Sequence, residues 1–446
     1  MKLSALAMMV LFVAACDPSP RGGAGNDVAP GDAQAAADAT PAPVPPAPPI
    51  PAGWFKGNLH THSLWSDGDD FPEHITRWYK DHGYHFLAIS DHGTVQSGEK
   101  WLKYADLYKK GAGPAADRFL ADASLAAQSR GDRKSENQEI RLTPFAEYHA
   151  LFEKPGSFLM IQAEEISDKL DKKPVHMGGI NLAETIKAKG GKTIVDVISN
   201  NLRAVMEQGT KLNRPVLAHL NHPNFGWGVT AEELAQVVEE HFFEVYNGHP
   251  TVNQMGDPKN LAAKPSIDRL WDIANTMRLT ALKGRPLFGL GNDDSHSYHV
   301  PGMSRATPGR GWTVVRAKEL SIGSLLSAIE AGDFYASTGV VLRDVKFDEA
   351  ARTLSVEIVP TETATYTTHF IGTRLPAGVE AAKFTPAPSD VGITLASVPG
   401  LQASYKMKGD ELYVRAVVIS SLPPAVPSFK GQAQQAWTQP VGWGKR

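Results

Sequence analysis

Cysteine is almost absent from this chain, whose 446 residues contain only Cys16. The chain therefore has no disulfide within itself and no site where several thiolates could share a metal. An excess of one charge is also lacking. The formal net charge of −3 gives no overall attraction to nucleic acid or to an anionic membrane surface. We therefore expect no specific nucleic-acid partner.

The apolar run at the N terminus, residues 5–15, is too short to cross a bilayer as a helix, which takes about 20 residues. It follows the positive Lys2 and ends in small residues before Cys16. This arrangement resembles a bacterial lipoprotein signal, which implies cleavage before Cys16 and a lipid on its sulfur. Residues 1–16 are thus predicted to be a signal peptide and lipobox, and the protein to be a periplasmic or cell-envelope lipoprotein anchored to a membrane. A secretory signal without a lipid is the alternative.

Large apolar side chains are rare from residue 17 to residue 52, where Ala, Pro, Gly and Asp dominate. A segment of this composition cannot bury a core and is predicted to be a disordered linker. Its proline-rich part, residues 41–51, favours an extended polyproline conformation of roughly 3 Å per residue, which would hold the folded part away from the membrane. A tolerated leader without a role is the alternative.

From residue 53 onward, short apolar runs alternate with helical patterns. The strand-like runs are 86–90, 157–162, 215–218, 242–246 and 286–290, and the helical patterns are 72–82, 194–207, 231–240, 267–277 and 320–331. This alternation predicts a parallel sheet with crossing helices. Because polar residues cluster where the strands end, the expected architecture over 53–340 is an α/β fold, a TIM-like β/α barrel with its active face at that end.

Two further segments depart from this rhythm. Residues 94–155 form a long, charged and mostly helical insertion, which could be a lid over the site or a passive surface elaboration. After residue 340 the sequence becomes a series of short alternating segments separated by turn residues. Residues 341–446 are therefore predicted to form a small C-terminal all-β, sandwich-like domain.

Potential metal ligands follow the strand-like runs in one order. They are His60, His62, Asp67, His92, Glu165, His176, His219, Asp294 and His296. Imidazoles and carboxylates hold zinc, manganese or iron in hydrolytic sites, and these residues exceed what one ion needs. The sequence therefore predicts two or three divalent metal ions.

The segments that carry these ligands resemble the motifs of the polymerase-and-histidinol-phosphatase (PHP) family. The matching segments are 59–63 (LHTHS), 66–68 (SDG), 89–93 (ISDHG), 163–167 (AEEIS), 176–180 (HMGGI), 217–219 (LAH) and 294–296 (DSH). The resemblance covers residues 54–340. It implies a distorted barrel of seven strands, (β/α)7, with a trinuclear Zn, Mn or Fe centre at its C-terminal face and the cleavage of phosphoesters.

The resemblance also implies how the ligands are shared. One ion would be held by His60, His62, Glu165 and Asp294. Glu165 would bridge to a second ion on His176 and His219. A third ion would be held by Asp67, His92 and His296. Register against the family selects Glu165 over Glu164, and the Asp-x-His spacing selects Asp294 over Asp293.

Four residues are candidates for catalytic roles: Glu165, His222, Arg305 and Arg310. His222 could orient the substrate or support the ligands from behind. Arg305 and Arg310 could grip a phosphate with their forked guanidinium groups, or they could be a solvated pair in a loop. Further candidates for substrate contact follow the strand-like run at 242–246, namely Tyr246, Asn247 and His249.

The expected function is metal-dependent hydrolysis of a small phosphorylated substrate outside the cytoplasm. Divalent cations neutralise charge on a phosphoryl group, and they lower the pKa of bound water from roughly 15.7 to about 7, which gives hydroxide at neutral pH. One alternative is an amidohydrolase-like amide or lactone hydrolase, whose barrels also begin with His-x-His, although Asp67 and Asp294-x-His296 fit that pattern poorly. The other is a non-catalytic metal- or ligand-binding lipoprotein.

Overall fold

The computed structural model describes residues 45–122 and 124–444, which belong to one compact unit. The predicted signal peptide, Cys16 and most of the predicted linker lie outside the described residues. Among the helices of these ranges, none combines the length and apolar character needed to cross a bilayer.

The strands and helices of the described chain alternate through its first two thirds. The strands there are β1 (Trp54–Asn58), β2 (Phe86–Ile89), β3 (Lys100–Lys103), β4 (Ser129–Arg130), β5 (Glu139–Leu142), β6 (Leu159–Leu170), β7 (Lys173–Ile180), β8 (Leu217–Leu220), β9 (Phe242–Asn247), β10 (Phe288–Asn292), β11 (Trp312–Arg316) and β12 (Phe334–Ser337). The helices are α1 (Pro72–Asp81), α2 (Tyr104–Lys109), α3 (Gly113–Ala121), α4 (Phe145–Phe152), α5 (Ile194–Lys211), α6 (Ala231–Gln236), α7 (Ile267–Leu279) and α8 (Ile322–Glu330). The remaining strands are β13 (Leu342–Asp348), β14 (Thr353–Ile358), β15 (Tyr366–Gly372), β16 (Ile393–Pro399), β17 (Gln402–Lys406), β18 (Arg415–Ser420) and β19 (Gln435–Thr438).

The predicted helices form where local signals support them. In α1, Pro72 occupies the first turn, where its missing N–H costs nothing, and Ile75 and Tyr79 are buried four residues apart on one face. Helix α5 begins with a capping box in which the Thr193 side chain accepts from the backbone N–H of Asp196 and the Asp196 side chain accepts in return. Helix α6 is shorter than its predicted range and ends at Gln236.

One mixed sheet of 13 strands forms the centre of the molecule, in the order β10-β9-β8-β7-β6-β2-β1-β11-β12-β19-β18-β15-β16. Strands β1, β2 and β6 run parallel, and so do β8, β9 and β10. Strand β7 runs antiparallel to both β6 and β8. The prediction of a purely parallel sheet is wrong there, because a connection of two residues between β6 and β7 can join only antiparallel strands.

The predicted closed barrel is not detected. Within the described residues the hydrogen-bonded ladder is open, with β10 and β16 at its two ends. The loops that follow β1 and β10 nevertheless meet: the Asp294 N–H donates to the His60 carbonyl and the His62 N–H donates to the Ser295 carbonyl, both at 2.9 Å. A mixed α/β fold is confirmed, and these loop hydrogen bonds bring the first and last predicted ligands together.

The described residues after 340 form strands and two short 3-10 helices, Ala381–Lys383 and Pro388–Asp390, and the predicted separate all-β domain is not confirmed. Strands β15, β16, β18 and β19 extend the large sheet through β12, while β13, β14 and β17 form a second sheet of three strands. The side chain of Trp437 packs in the same apolar cluster as Phe243 and Trp271. The boundary at residue 340 stays a prediction.

The insertion at 94–155 is mixed rather than mostly helical, since β3, β4 and β5 form a small sheet beside α2, α3 and α4. Its apolar side chains form one cluster with Leu64, Trp65 and Phe71 of the loop between β1 and α1. The Trp65 indole N–H donates to the Thr143 carbonyl at 3.2 Å, and Lys100 Nζ donates to the Trp65 carbonyl at 2.6 Å. The insertion thus supports the loop that carries Asp67.

Candidate metal centre

Nine histidine and carboxylate side chains come together in four overlapping groups among the described residues. Within each group, one ligand atom of every member lies within 4.8 Å of the others. The groups are His62, Asp67, His92 and His296; His60, Glu165 and His222; His60, His62 and Asp294; and His92, Glu165 and His176. Eight of the predicted ligands are therefore brought together with His222, and His219 is not among them.

The group of His60, His62 and Asp294 is built from the loops after β1 and β10. Atom Oδ1 of Asp294 lies 3.3 Å from Nε2 of His60 and 3.1 Å from Nε2 of His62, and these two nitrogens are 3.1 Å apart. Donor atoms bound at about 2.1 Å to one tetrahedral ion lie roughly 3.4 Å apart. Asp294 has a φ of 49°, a left-handed conformation that turns the chain at this point. The three side chains fit a divalent cation.

Glu165 is shared between groups. Its Oε1 atom lies 3.2 Å from Nδ1 of His176 and 3.0 Å from Nε2 of His222, and its Oε2 atom lies 2.8 Å from Nδ1 of His92. Oε2 is buried and accepts no hydrogen bond from the described residues. A buried carboxylate oxygen that is surrounded by imidazoles but lacks a hydrogen bond fits a cation ligand better than a structural ion pair.

The third cluster of donors lies nearer to solvent. Asp67, whose side chain is 58% exposed, has its carboxylate oxygens 3.4 Å from Nε2 of His296 and 3.6 Å from Nε2 of His92. His62 is 3.8 Å from Asp67 through Nδ1 and therefore faces this cluster with one nitrogen and Asp294 with the other. These residues fit a further ion beside the first.

Electrostatics in this region favour ionised carboxylates and a neutral His62, whereas the surrounding carboxylates raise the pKa of His60, His92, His222 and His296 against the effect of burial. Burial alone would raise the pKa of Glu165, but His60, His176 and His92 outweigh it and hold this pKa well below the usual range. The pKa of Asp294 is likewise held well below its usual range, by His60 and His62 against the effect of burial. Burial, with the nearby His296 and His92, lowers the pKa of His62 to about 4. A neutral imidazole is the form that binds metals.

His222 belongs to one of the ligand groups, whereas His219, the histidine that the resemblance selects, belongs to none. His219 lies within β8 and is fully buried, and neither of its ring nitrogens has a hydrogen-bond partner among the described residues. A Cβ atom on Gly178 would stand 2.3 Å from its Nε2, so the ring lies against that glycine and outside the ligand groups. Leu220 continues the apolar strand past His219, and the strand end that projects a ligand comes only at His222. That leucine is the sequence signal for the shift.

Glu244 is a buried carboxylate that the sequence analysis did not single out. On β9, its Oε1 atom is 2.8 Å from Nδ1 of His60 and accepts from the Asn292 amide at 2.9 Å. Its Oε2 atom accepts from the His222 N–H at 2.9 Å and from the Asn247 amide at 2.8 Å. A carboxylate on Nδ1 fixes the ring of His60 with Nε2 toward the other ligands. The signal in the sequence is one acidic residue inside the apolar run 242–246.

The neighbours of the ligands have structural contacts. Glu164 accepts from the Ile186 N–H at 2.9 Å, and burial raises its pKa to about 7, so it lies apart from Glu165 and its partners. Asp293 accepts from the backbone N–H groups of Gly309, Arg310 and Gly311. Both adjacent acids therefore belong to the supporting structure.

An open cavity of about 440 Å³ lies over these groups. It is lined by Asp67, His92, Glu165, His176, His222, Phe225, His249, Pro250, Thr251, Asp294, His296, Ser297, Ser304, Arg305 and Ala306. No described residue of the insertion is among them, so its interpretation as a lid gains no support.

Tyr246, a candidate for substrate contact, does not line the cavity, and its hydroxyl lies 2.6 Å from that of Ser428. Asn247 donates to Glu244 and Asp294.

Arg305 and Arg310 have different environments. Arg305 is exposed at the cavity, and its guanidinium makes no hydrogen bond or ion pair with the described part of the chain. Arg310 is fully buried and donates to the carbonyls of Gly248 at 2.8 Å and Gly302 at 2.9 Å. Its guanidinium is therefore committed to the loop that carries Arg305, and the prediction that it grips a phosphate is not supported by its position.

No protein-family model and no curated protein matches the chain. Among solved structures, it is similar to a two-domain protein from Bacteroides vulgatus containing a predicted PHP-like metal-dependent phosphoesterase, at 15% identity and a TM-score of 0.38 over 89% of this chain and 98% of that one. It is also similar to a metal-dependent phosphoesterase candidate from Bifidobacterium adolescentis, at 13% identity and a TM-score of 0.28 over 55% and 89%. At these TM-scores the structural similarity is too low to transfer an activity, so the function has to be inferred from the site residues.

Proposed function

We propose that the protein is a metal-dependent hydrolase of phosphoesters that holds two or three divalent ions. The observation that carries this proposal is the position of Glu165, whose two carboxylate oxygens each face imidazoles from different ligand groups. A carboxylate shared in this way is suited to bridging adjacent cations. Zinc, manganese and iron all accept such nitrogen and oxygen ligands.

The ligand set in this proposal differs from the one that the resemblance implies. His60, His62 and Asp294 would hold one ion, and His176 and His222 would hold a second, with Glu165 shared between them. Asp67, His92 and His296 would hold a third. His222 takes the role first given to His219 because its Nε2 lies 3.0 Å from Glu165.

Bound divalent ions would supply the positive charge that stabilises a phosphoryl transition state and would lower the pKa of water in the site. Arg305 binds a phosphoryl oxygen, since its guanidinium lies at the cavity wall without a partner in the part of the chain that the structure describes, and Arg310 positions the loop around it. In the reaction an oxygen from water forms a bond to phosphorus, the bond from phosphorus to the leaving oxygen breaks, and that oxygen takes up the proton released by the water. The positive guanidinium of Arg305 beside the ligands favours an anionic phosphoester over a neutral amide or lactone as the substrate.

The test is hydrolysis of a generic phosphomonoester and a generic phosphodiester with added manganese, iron or zinc. The adjacent glutamates provide a matched pair of variants. Glu165→Gln should lose metal-dependent turnover by at least about 100-fold, as expected when a buried ligand is removed. Glu164→Gln should retain it, because Glu164 contacts the Ile186 backbone instead. Protein that carries its ions but hydrolyses neither ester would contradict the proposal.

We also propose that a lipid on Cys16 anchors the protein in the cell envelope, on the periplasmic side of a membrane. The support is the sequence of residues 1–16, a short apolar run that ends in small residues before a cysteine. Mass spectrometry of the mature N terminus should find a lipid-modified Cys16. A Cys16→Ser chain should then be recovered free of membranes, and a wild-type N terminus without lipid would contradict the anchor.

A further inference from the structure

Part of the cavity wall is apolar, although the cavity lies over charged and polar ligands. Phe225 and Pro250 border it and are half-buried, and Ala306 is buried beside them. A phosphoryl group gains nothing from such a surface, because it needs cations and hydrogen-bond donors. These side chains therefore face another part of the bound molecule.

The ring of Phe225 is held firmly in this wall. It lies in a short 3-10 turn, Phe225–Trp227, whose Gly226 has a left-handed φ of 55°. The Phe225 N–H donates to the His222 carbonyl at 2.8 Å, and the Asn224 amide donates to the carbonyls of Asn253 and Pro265 at 3.0 and 2.9 Å. A ring that is fixed in place loses little entropy when a ligand contacts it.

The face of the Phe225 ring is not covered by another ring of the described chain. Its aromatic neighbours are His222, His176 and His249, at centroid distances of 5.2, 6.2 and 6.5 Å. The interplanar angles are 69°, 50° and 77°, so all three meet it edge-on or tilted and none stacks on it. Offset stacking of a flat ring is therefore still available to this side chain.

We propose that the leaving group of the substrate carries a planar aromatic ring, which stacks on Phe225 while the phosphoryl group lies at the ligands and Arg305. This proposal rests on the phosphoesterase function proposed above. A cavity of about 440 Å³ is large enough for a phosphoryl group and a ring together. Both a simple aryl group and a nucleobase supply the required planar surface.

The decisive comparison uses benzyl phosphate and cyclohexylmethyl phosphate, which have leaving alcohols of similar basicity and size but differ in planarity. The kcat/KM should be about 3- to 10-fold higher for benzyl phosphate, carried by KM, as stacking of one ring predicts. A nucleoside 5′-monophosphate against ribose 5-phosphate forms the second arm. A preference in this arm alone identifies the ring as a nucleobase, and a preference in the first arm alone identifies an aryl group.

Variants in the same turn link the preference to Phe225. Phe225→Leu should bring the ratio of the two kcat/KM values close to one, and Phe225→Tyr should retain it. Trp227→Leu changes an aromatic residue of the turn that does not line the cavity, so the ratio should also be retained. Ratios near one in the wild-type protein in both arms, or a ratio that Phe225→Leu leaves unchanged, would overturn the proposal. Failure to hydrolyse any of the four esters or the generic phosphodiester would instead contradict the phosphoesterase function.

Discussion

His219 and His222 stand close together in the sequence, yet their rings have different surroundings. His219 is buried in β8 and has no carboxylate of the described chain within ion-pair distance, whereas Nε2 of His222 lies 3.0 Å from Oε1 of Glu165. Their backbones differ as well, since His222 has a φ of 23° just past the end of β8. The end of the strand, and not the first histidine after an apolar residue, therefore decides which ring joins the ligands.

We predict that His222→Ala loses bound metal and His219→Leu does not. Removing one ligand typically weakens metal binding by an order of magnitude or more. The ring nitrogens of His219 make no hydrogen bond with the described residues, so a leucine at this position would lose no such contact. The measurement is metal content by atomic emission after dialysis against a weak chelator. Circular dichroism of both variants controls for folding. Loss of metal in His219→Leu alone would restore the assignment that the resemblance implies.

Arg305 and Arg310 supply a second matched pair. We predict that Arg305→Ala raises KM for a phosphoester about 10-fold and leaves the melting temperature unchanged, because its guanidinium has no partner among the described residues. Arg310→Ala should lower the free energy of unfolding by about 2 kcal/mol or more, because it removes a buried guanidinium that donates to the buried carbonyl of Gly248 and to the carbonyl of Gly302. Steady-state kinetics and urea unfolding of both variants check this. An unchanged KM in Arg305→Ala would show that the cavity cation does not touch substrate.

Most of the candidate site follows from local sequence, because its ligands come directly after apolar runs and strand ends collect such residues. Glu244 could not be assigned in this way. Its role depends on a contact with His60, 184 residues away, and nothing within the run 242–246 indicates which residue lies opposite. The position of Arg310 could not be predicted either. The sequence after the last ligand is the same whether the Arg310 side chain faces the cavity or the backbone behind it.

Elements paired across the sheet explain why Glu165 and His176 meet. Strand β6 extends to Leu170, well beyond the predicted run, and pairs with β7 so that Ser167 lies opposite His176 and Glu165 opposite Gly178. The polar ligands interrupt the alternation of apolar residues in both strands. A strand predicted from that alternation therefore ends before the strand in the structure does.

A buried ion pair joins helix α7 to strand β18. Arg415 donates to the two carboxylate oxygens of Asp272 at 2.9 and 2.8 Å, and both side chains are almost fully buried. We predict that Arg415→Met lowers the free energy of unfolding by about 3–5 kcal/mol, since it leaves the Asp272 charge buried without its partner. Adding Asp272→Asn should recover part of that loss. Urea unfolding of the single and the double variant measures both changes in stability. An Arg415→Met protein as stable as the wild type would contradict the prediction.

One sheet of the molecule continues across the domain boundary that the composition predicts at residue 340. The last α-helix of the described residues, α8, ends before residue 340, but composition cannot indicate which sheet a strand joins. Strand β19 pairs with β12, and the Gln439 amide bridges the backbone N–H and carbonyl of Gly289 on β10 at 2.8 and 3.0 Å. Strands from both sides of the predicted boundary thus share hydrogen bonds as well as apolar clusters.

We therefore predict that a chain ending at residue 340 does not fold cooperatively. It would lose the pairing of β12 with β19 and expose the apolar cluster that Trp437 shares with Phe243 and Trp271, which favours aggregation. Solubility and thermal melting followed by circular dichroism check this. A chain beginning at residue 45 is the control, because it keeps every contact described here and should melt with the full-length protein. A soluble chain ending at 340 that melts at the full-length temperature would instead establish residues 53–340 as an independent domain, and the sheet continuation through β12 would then contribute nothing measurable to its stability.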